Sequence, residues 1–404
     1  MARPGSIAEA IQRCEDALDA AGLSGRPVAV LDLDAFDANA RDLARRARRV
    51  SVRVASKSLR VMALIRRASA QLRGGVLAYS LAEALDQSAH GIRDIVVAYP
   101  CVNASEIARL AADPEARDHV SLMVDSLAHA RLLAHAARPS MGVGKSLRVV
   151  IDLDVSYAPT SGIHLGARRS PLRTPAQART LAREISQIPE LRLVGLMGYE
   201  GQIAGVASGG FGPARLATRA MQAVSGRELN RRRAACVAAI AEVCPLEFVN
   251  GGGTGSIEST IRDASVTEVA AGSGLVGPTL FDSYARFRPE PALFLGFPVV
   301  RRPAPSIATV AGGGWIASGP VGADRSPLPV HPPGLHLLPL EGAGEVQTPV
   351  AGPAAAHLRL GDTVWMRHAK AGEPAEHVNE YVLISGGEVV DVVPTYRGDG
   401  RVYI

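Results

Sequence analysis

The sequence predicts a (β/α)8 TIM barrel followed by a smaller all-β domain. Three observations predict it. Eight short apolar runs rich in Val, Ile and Leu recur between residues 28 and 256, most of them separated by Ala- and Arg-rich stretches of helix length. The runs are nearly continuous instead of alternating, as expected for parallel strands covered on both faces by helices. From about Ser283 the texture changes to Gly- and Pro-rich sequence with short strands and turn signals.

Residues 1–24 read as a helical segment that packs on the C-terminal domain, and the barrel is assigned to residues 25–283. VAVLDLD (28–34) opens it as the first strand, with a helix from Ala35 to Arg49 behind it. The basic run 41–49 on that helix reads as a solvated face, with an acidic partner as the alternative. VRVASK (52–57), GVLAYS (75–80), DIVVAYP (94–100), VSLMVDS (120–126), LRVVIDLD (147–154), LRLVGLMGYEG (191–201) and LEFVNGGGTGS (246–256) supply the other seven strands. A doubly wound open sheet competes, but its G-x-G-x-x-G signature is missing after the first strand, which ends in DLDAFD. Residues 284–404 form the β domain, where DTVWMRH and YVLISGGEVVDVV are separated by turns such as Gly386-Gly387.

Composition excludes several classes. At roughly 100–200 residues per domain, a 404-residue chain makes two or three domains with room for a sizeable core. Few aromatic side chains and a formal net charge of only +5 give no footprint for nucleic acid. No stretch is apolar enough to span a membrane, and Met1 to Cys14 lacks the apolar core of a secretion signal. Cys14, Cys101, Cys236 and Cys244 show no metal or disulfide spacing, so a cytoplasmic protein with ordinary thiols is expected.

In a parallel barrel the reactive groups sit at the carboxyl ends of the strands. Lys57 ends the VRVASK run, and period-two alternation sets Arg53, Ala55 and Lys57 on the face opposite the valines, aimed into the barrel. Only Lys57, Lys145 and Lys370 are lysines among 44 basic side chains. A lysine amine can lose its proton and attack a carbonyl, which a guanidinium cannot, so Lys57 is a candidate Schiff-base residue as well as a chance surface lysine. Lys145 precedes its strand, and Lys370 belongs to the β domain.

Two glycine-rich stretches follow late strands: Asn250-Gly251-Gly252-Gly253-Thr254-Gly255-Ser256 and Ala271-Gly272-Ser273-Gly274-Leu275-Val276-Gly277. Glycines let backbone amides converge on an anion, and the hydroxyls add donors, so across the barrel from Lys57 they read together as a phosphate cradle. Singly, each is an ordinary turn. An imine-forming lysine and a phosphate cradle are the minimal needs of pyridoxal phosphate.

At these residues the chain resembles the fold-type III pyridoxal phosphate enzymes, whose N-terminal barrel is of the alanine racemase type. Within them it is most similar to the D-threonine aldolase and D-serine dehydratase branch, and to a bacterial amino acid deaminase/aldolase group. LDLDAFDAN, RVASKSLR, GLMGYEGQIAG, FVNGGGTGS, TEVAAGSGLVGPTLFD and RHAKAGE carry the resemblance over nearly the whole chain. It implies that Lys57 forms the internal aldimine, that Gly253, Thr254, Gly272 and Ser273 hold the cofactor phosphate, and that Tyr199 lines the cofactor, with Gln202 a weaker candidate. Read from the residues alone, Tyr199 is equally a packing residue of the barrel mouth.

Two departures stand out. The branch holds a divalent metal through a His-x-Asp or His-x-Cys pair, whereas the matching stretch here is His368-Ala369-Lys370. His368 remains a candidate metal ligand and base, with Glu373 a possible second ligand and Lys370 a cation opposing one. Past the LRVVIDLD run, Tyr157, His164, Arg168 and Arg169 also depart from the pattern. The two arginines either hold a substrate carboxylate or lie on the surface, the latter being the plainer reading.

The resemblance implies a lyase acting on a small D-configured β-hydroxy amino acid by aldol cleavage or by dehydration and deamination, and a homodimer. A racemase is the nearest alternative; it needs a second acid or base, for which Tyr381 and Tyr396 are the tyrosines of the β domain. A non-catalytic pyridoxal phosphate-binding protein and a barrel enzyme for a phosphorylated substrate are the remaining alternatives.

Overall fold

The computed structural model describes residues 7–160 and 162–403. They form two compact units: Leu43–Lys57, Ile65–Gly272 and Tyr403 in one, and 7–42, Ser58–Leu64 and Ser273–Val402 in the other.

The first unit is a closed barrel of eight parallel strands, Ser51–Ala55, Arg73–Ala78, Ile95–Val97, Val120–Val124, Leu147–Asp152, Leu191–Gly198, Phe248–Gly251 and Glu268–Ala271. The last pairs with the first through Val269 with Val52 and Ala270 with Arg53. Leu77, Val96, Met123, Val150, Val194, Met197, Phe248 and Ala270 fill the interior, and Ala55 packs against them. Arg53 shares that inner face, its guanidinium carbon 5.3 Å from the centre of the Phe248 ring. It is held by Glu268 at 2.7 Å and Asp94 at 3.0 Å, which gives this buried charge its partners.

Outer helices follow their sequence periodicity. In Pro175–Ser186 the apolar positions Ala178, Leu181, Ala182 and Ile185 fall on one buried stripe, and Thr174 with Gln177 closes a capping box at its start.

One expectation is corrected. The run at 28–34 is not a barrel strand: Val28–Asp32 lies in the second unit, antiparallel to Leu293–Ala304 and parallel to Glu380–Ser385. The barrel's eighth strand is Glu268–Ala271, just ahead of the second glycine-rich stretch, which the sequence reading did not assign as a strand. As a result the two glycine loops and Lys57 end three consecutive strands, instead of facing one another across the barrel.

In the second unit Val28–Asp32 sits mid-sheet, with Leu293–Ala304, Ile307–Ala311, Gln347–Ala351 and His336–Leu337 on one side and Glu380–Ser385 and Glu388–Pro394 on the other. Thr363–Arg367 also pairs with Leu293–Ala304, and with Leu328–His331. The helix Ile7–Ala20 lays Ile11, Cys14, Ala17 and Leu18 on Val30, Phe294, Trp365, Val382 and Ile384. Burial there pushes the Cys14 thiol up to about 12, with Asp32 adding to the rise. Among the described residues no helix is long and apolar enough to cross a membrane.

Candidate active site

Lys57 follows the Ser51–Ala55 strand in a single 3-10 turn, Ser56–Ser58, anchored by the Ser56 hydroxyl donating to the Leu77 carbonyl at 3.1 Å. Its side chain is exposed, and Nζ donates to the Tyr99 hydroxyl at 3.1 Å. Tyr99 stands just past the Ile95–Val97 strand. Burial alone raises a phenol's pKa, but here the Lys57 and Arg169 cations outweigh it and hold Tyr99 below the ordinary tyrosine value.

Arg169 arrives from the segment after Leu147–Asp152, which first reverses through the small antiparallel pair Tyr157–Thr160 and Ile163–Leu165. Its guanidinium carbon is 5.2 Å from the Tyr99 ring centre and 5.1 Å from that of Tyr199. Burial raises the Tyr199 phenol, partly offset by Arg169. Tyr199 in turn adjoins the glycine loop, since a methyl group built on Gly253 would lie 3.6 Å from its ring and 2.7 Å from the Ala204 Cβ. Gly252 holds φ +84°, a left-handed backbone that glycine adopts without strain. A continuous set of contacts thus runs from the Lys57 amine through Tyr99 and Arg169 to Tyr199, which stands beside the Gly253 turn.

Beneath Tyr199 the loop geometry is held by a charged network. Glu200 is fully buried and accepts from Arg233 Nη1 at 2.7 Å and from the Thr260 hydroxyl at 2.7 Å, while Arg233 Nε donates to Asp263 at 2.8 Å. Arg46 donates to the Thr254 carbonyl at 2.7 Å and pairs with Glu258. Asp152, at the end of its strand, has its carboxyl pushed up to about 7, chiefly by burial, with Asp125 and Asp154 adding and Arg169 opposing.

Gly272 directly follows Glu268–Ala271, whose neighbours carry Lys57 on one side and Gly252 to Thr254 on the other. Gln202 spends its amide on the Val155 carbonyl at 2.8 Å and the Ser225 hydroxyl at 3.0 Å, a structural use. Arg168 is exposed, and His164 is half-buried with Nε2 unpartnered. Tyr99 and Asp152 were missed by the sequence reading, although both stand at strand ends, where that reading looked. Arg169, read as either a carboxylate ligand or a surface residue, is exposed and stands against two tyrosine rings.

Ser273 and His368 belong to the sheet unit. His368 is buried with neither ring nitrogen in a well-formed hydrogen bond. Burial and then the neighbouring Arg367 push its pKa down to about 3, slightly offset by the Leu293 backbone, so the imidazole is neutral. A divalent ion needs further anionic ligands. Among the described residues no group of three His, Cys, Asp or Glu side chains is placed to hold one. Glu373 instead accepts from the Ser318 amide at 2.9 Å, and Lys370 donates to the Ser318 hydroxyl at 3.3 Å. The donor set does not fit a metal. Tyr381 is buried and its hydroxyl lacks a partner; Tyr396 is buried too.

Comparison with known proteins adds the family. The model of the alanine racemase N-terminal domain matches residues 31–279. A D-threonine aldolase of Arthrobacter sp. is 27% identical over 287 residues, 69% of this chain and 69% of that protein. A 3-hydroxy-D-aspartate aldolase of Paracoccus denitrificans (strain Pd 1222) is 27% identical over 252 residues, so that the match spans 61% of this chain and 59% of the relative's length. In fold, the crystal structure of D-threonine aldolase from Filomicrobium marinum superposes with a TM-score of 0.77 at 21% identity, covering 92% of this chain and 95% of that one. With the matching model covering more than half of its length, the chain belongs to the alanine racemase N-terminal domain family.

Proposed function

We propose that this chain is a lyase that uses pyridoxal phosphate, the cofactor expected of its family, on a small D-configured β-hydroxy amino acid, by aldol cleavage or by dehydration and deamination. The residues fit that cofactor. A primary amine ends the Ser51–Ala55 strand, and glycine turns of the kind that gather backbone amides around an anion end the next two strands. Lys57 would hold the cofactor through Nζ, Gly253, Thr254, Gly272 and Ser273 its phosphate, and Tyr199 would line its ring. When bound, the cofactor supplies an electron sink for charge developing at the substrate Cα.

The chain's own side chains then move protons. In the dehydration route Lys57 Nζ would accept the Cα proton. Tyr99, whose hydroxyl accepts a hydrogen bond from Nζ, would position that amine. The observation that carries this reading is the run of contacts from the Lys57 amine to Tyr199, beside the Gly253 turn. We also propose a homodimer in the cytoplasm.

The purified protein is expected to show a visible absorption band that borohydride abolishes, and Lys57→Ala is expected to lose both the band and turnover of D-β-hydroxy amino acids. A colourless protein, or a band that survives Lys57→Ala, overturns the reading. Glycine plus an aldehyde among the products assigns the aldol route; ammonia plus an α-keto acid assigns the other.

A further inference from the structure

The basic run at 41–49 has no part in the proposed function, and its last two arginines border a cavity of about 400 Å³. Arg48 and Arg49 lead into the barrel strand Ser51–Ala55, and Ile261, Arg262 and Ala264 stand ahead of Glu268–Ala271, the strand paired with it. Lys57 lies past the other end of the first of these strands, so this cavity is not the barrel mouth. Glu258 is the single acid lining it, and Arg46 holds that carboxylate with two hydrogen bonds, at 2.6 and 3.1 Å. The Arg48, Arg49 and Arg262 side chains are exposed and, among the described residues, bond to no acid. Elsewhere on the barrel exposed arginines do meet acids: Arg138 pairs with Glu190 at 2.7 Å, Arg179 with Glu242 at 2.9 Å and Arg192 with Glu247 at 2.5 Å. Three guanidinium groups around one concavity, its carboxylate already neutralised, repel one another unless an anion joins them. Their forks match phosphate oxygens, and a diphosphate brings enough charge in one small group to answer three arginines, which a lone carboxylate does not.

We propose that this cavity binds a small molecule bearing a diphosphate group through Arg48, Arg49 and Arg262. Its volume is that of an ordinary small-molecule site, and Ile261 and Ala264 offer an apolar wall to the rest of the ligand. Calorimetry of the holoenzyme, whose own phosphate loops are filled, with inorganic pyrophosphate at low salt tests it. The parent is expected to bind one equivalent per chain, and Arg49→Gln and Arg262→Gln each to bind about tenfold more weakly, as for a lost charge-assisted bond. Arg48 sits at φ +58°, just past the helix Leu33–Ala47, with its N–H on the Ala44 carbonyl at 3.1 Å, a left-handed cap that suits glycine. Arg48→Gly should therefore lose about the same affinity with a urea midpoint no lower than the parent's, which separates lost binding from a damaged fold. Arg183→Gln, at an exposed arginine in the last turn of Pro175–Ser186, should bind as the parent does. No binding by the parent, undiminished affinity when all three arginines are replaced together, or an equal loss in Arg183→Gln overturns the proposal. Tighter binding of duplex DNA or of phosphatidylglycerol vesicles through the same three arginines overturns it too, since the occupant would then be a macromolecule or a membrane surface.

Discussion

Asp152 shows how one side chain ties the mouth of the barrel to pH. Burial near Asp125 and Asp154 lifts its carboxyl from 3.8 to about 7, against the pull of Arg169. A group raised on folding contributes its stability in full below the unfolded value and loses it as pH climbs through the folded one. The window therefore runs from 3.8 to about 7. Asp152→Asn should be more stable than the parent at about pH 8, by up to about 4 kcal/mol, and equal to it near about pH 4. Urea midpoints at the two pH values check this, and a pH-independent difference would count against burial as the cause. At this scale Lys57 was legible because its residue type is rare in the chain, and the loop glycines because their conformational role is local. Tyr99 was not, since a phenol acquires meaning only when the Tyr157–Leu165 reversal brings Arg169, one of two arginines the sequence singled out, against it.

Between elements, the long helix Pro213–Ala241 is fastened to the loops after two strands by Arg233, which meets Glu200 and Asp263 in a site from which water is excluded. Arg233→Met leaves two buried carboxylates without their cation, a loss of roughly 3–5 kcal/mol. The far-UV circular dichroism midpoint in urea should fall accordingly, and a shift within error would mean that the pair is dispensable. Strand assignment failed where local signals are degenerate. Val28–Asp32 is apolar and followed by the helix Leu33–Ala47, as a barrel strand would be, and only its distant partners reveal its sheet. Glu268–Ala271 has four residues, one of them the acid that pairs with Arg53, so no apolar run announces it.

For the molecule as a whole, both tryptophans, Trp315 and Trp365, fall in the sheet unit and none in the barrel unit. Tryptophan emission therefore reports on the sheet unit alone, whereas circular dichroism sums over both. In Arg233→Met we expect the circular dichroism midpoint to move further than the emission midpoint; equal displacement would show that the two units melt as one. The place of Val28–Asp32 has a consequence for biosynthesis. The ribosome makes this strand ahead of the whole barrel, yet both of its sheet neighbours are made after the barrel. Until they emerge it trails as an unsatisfied, sticky edge, so the nascent protein invites a chaperone's protection while the barrel is being made.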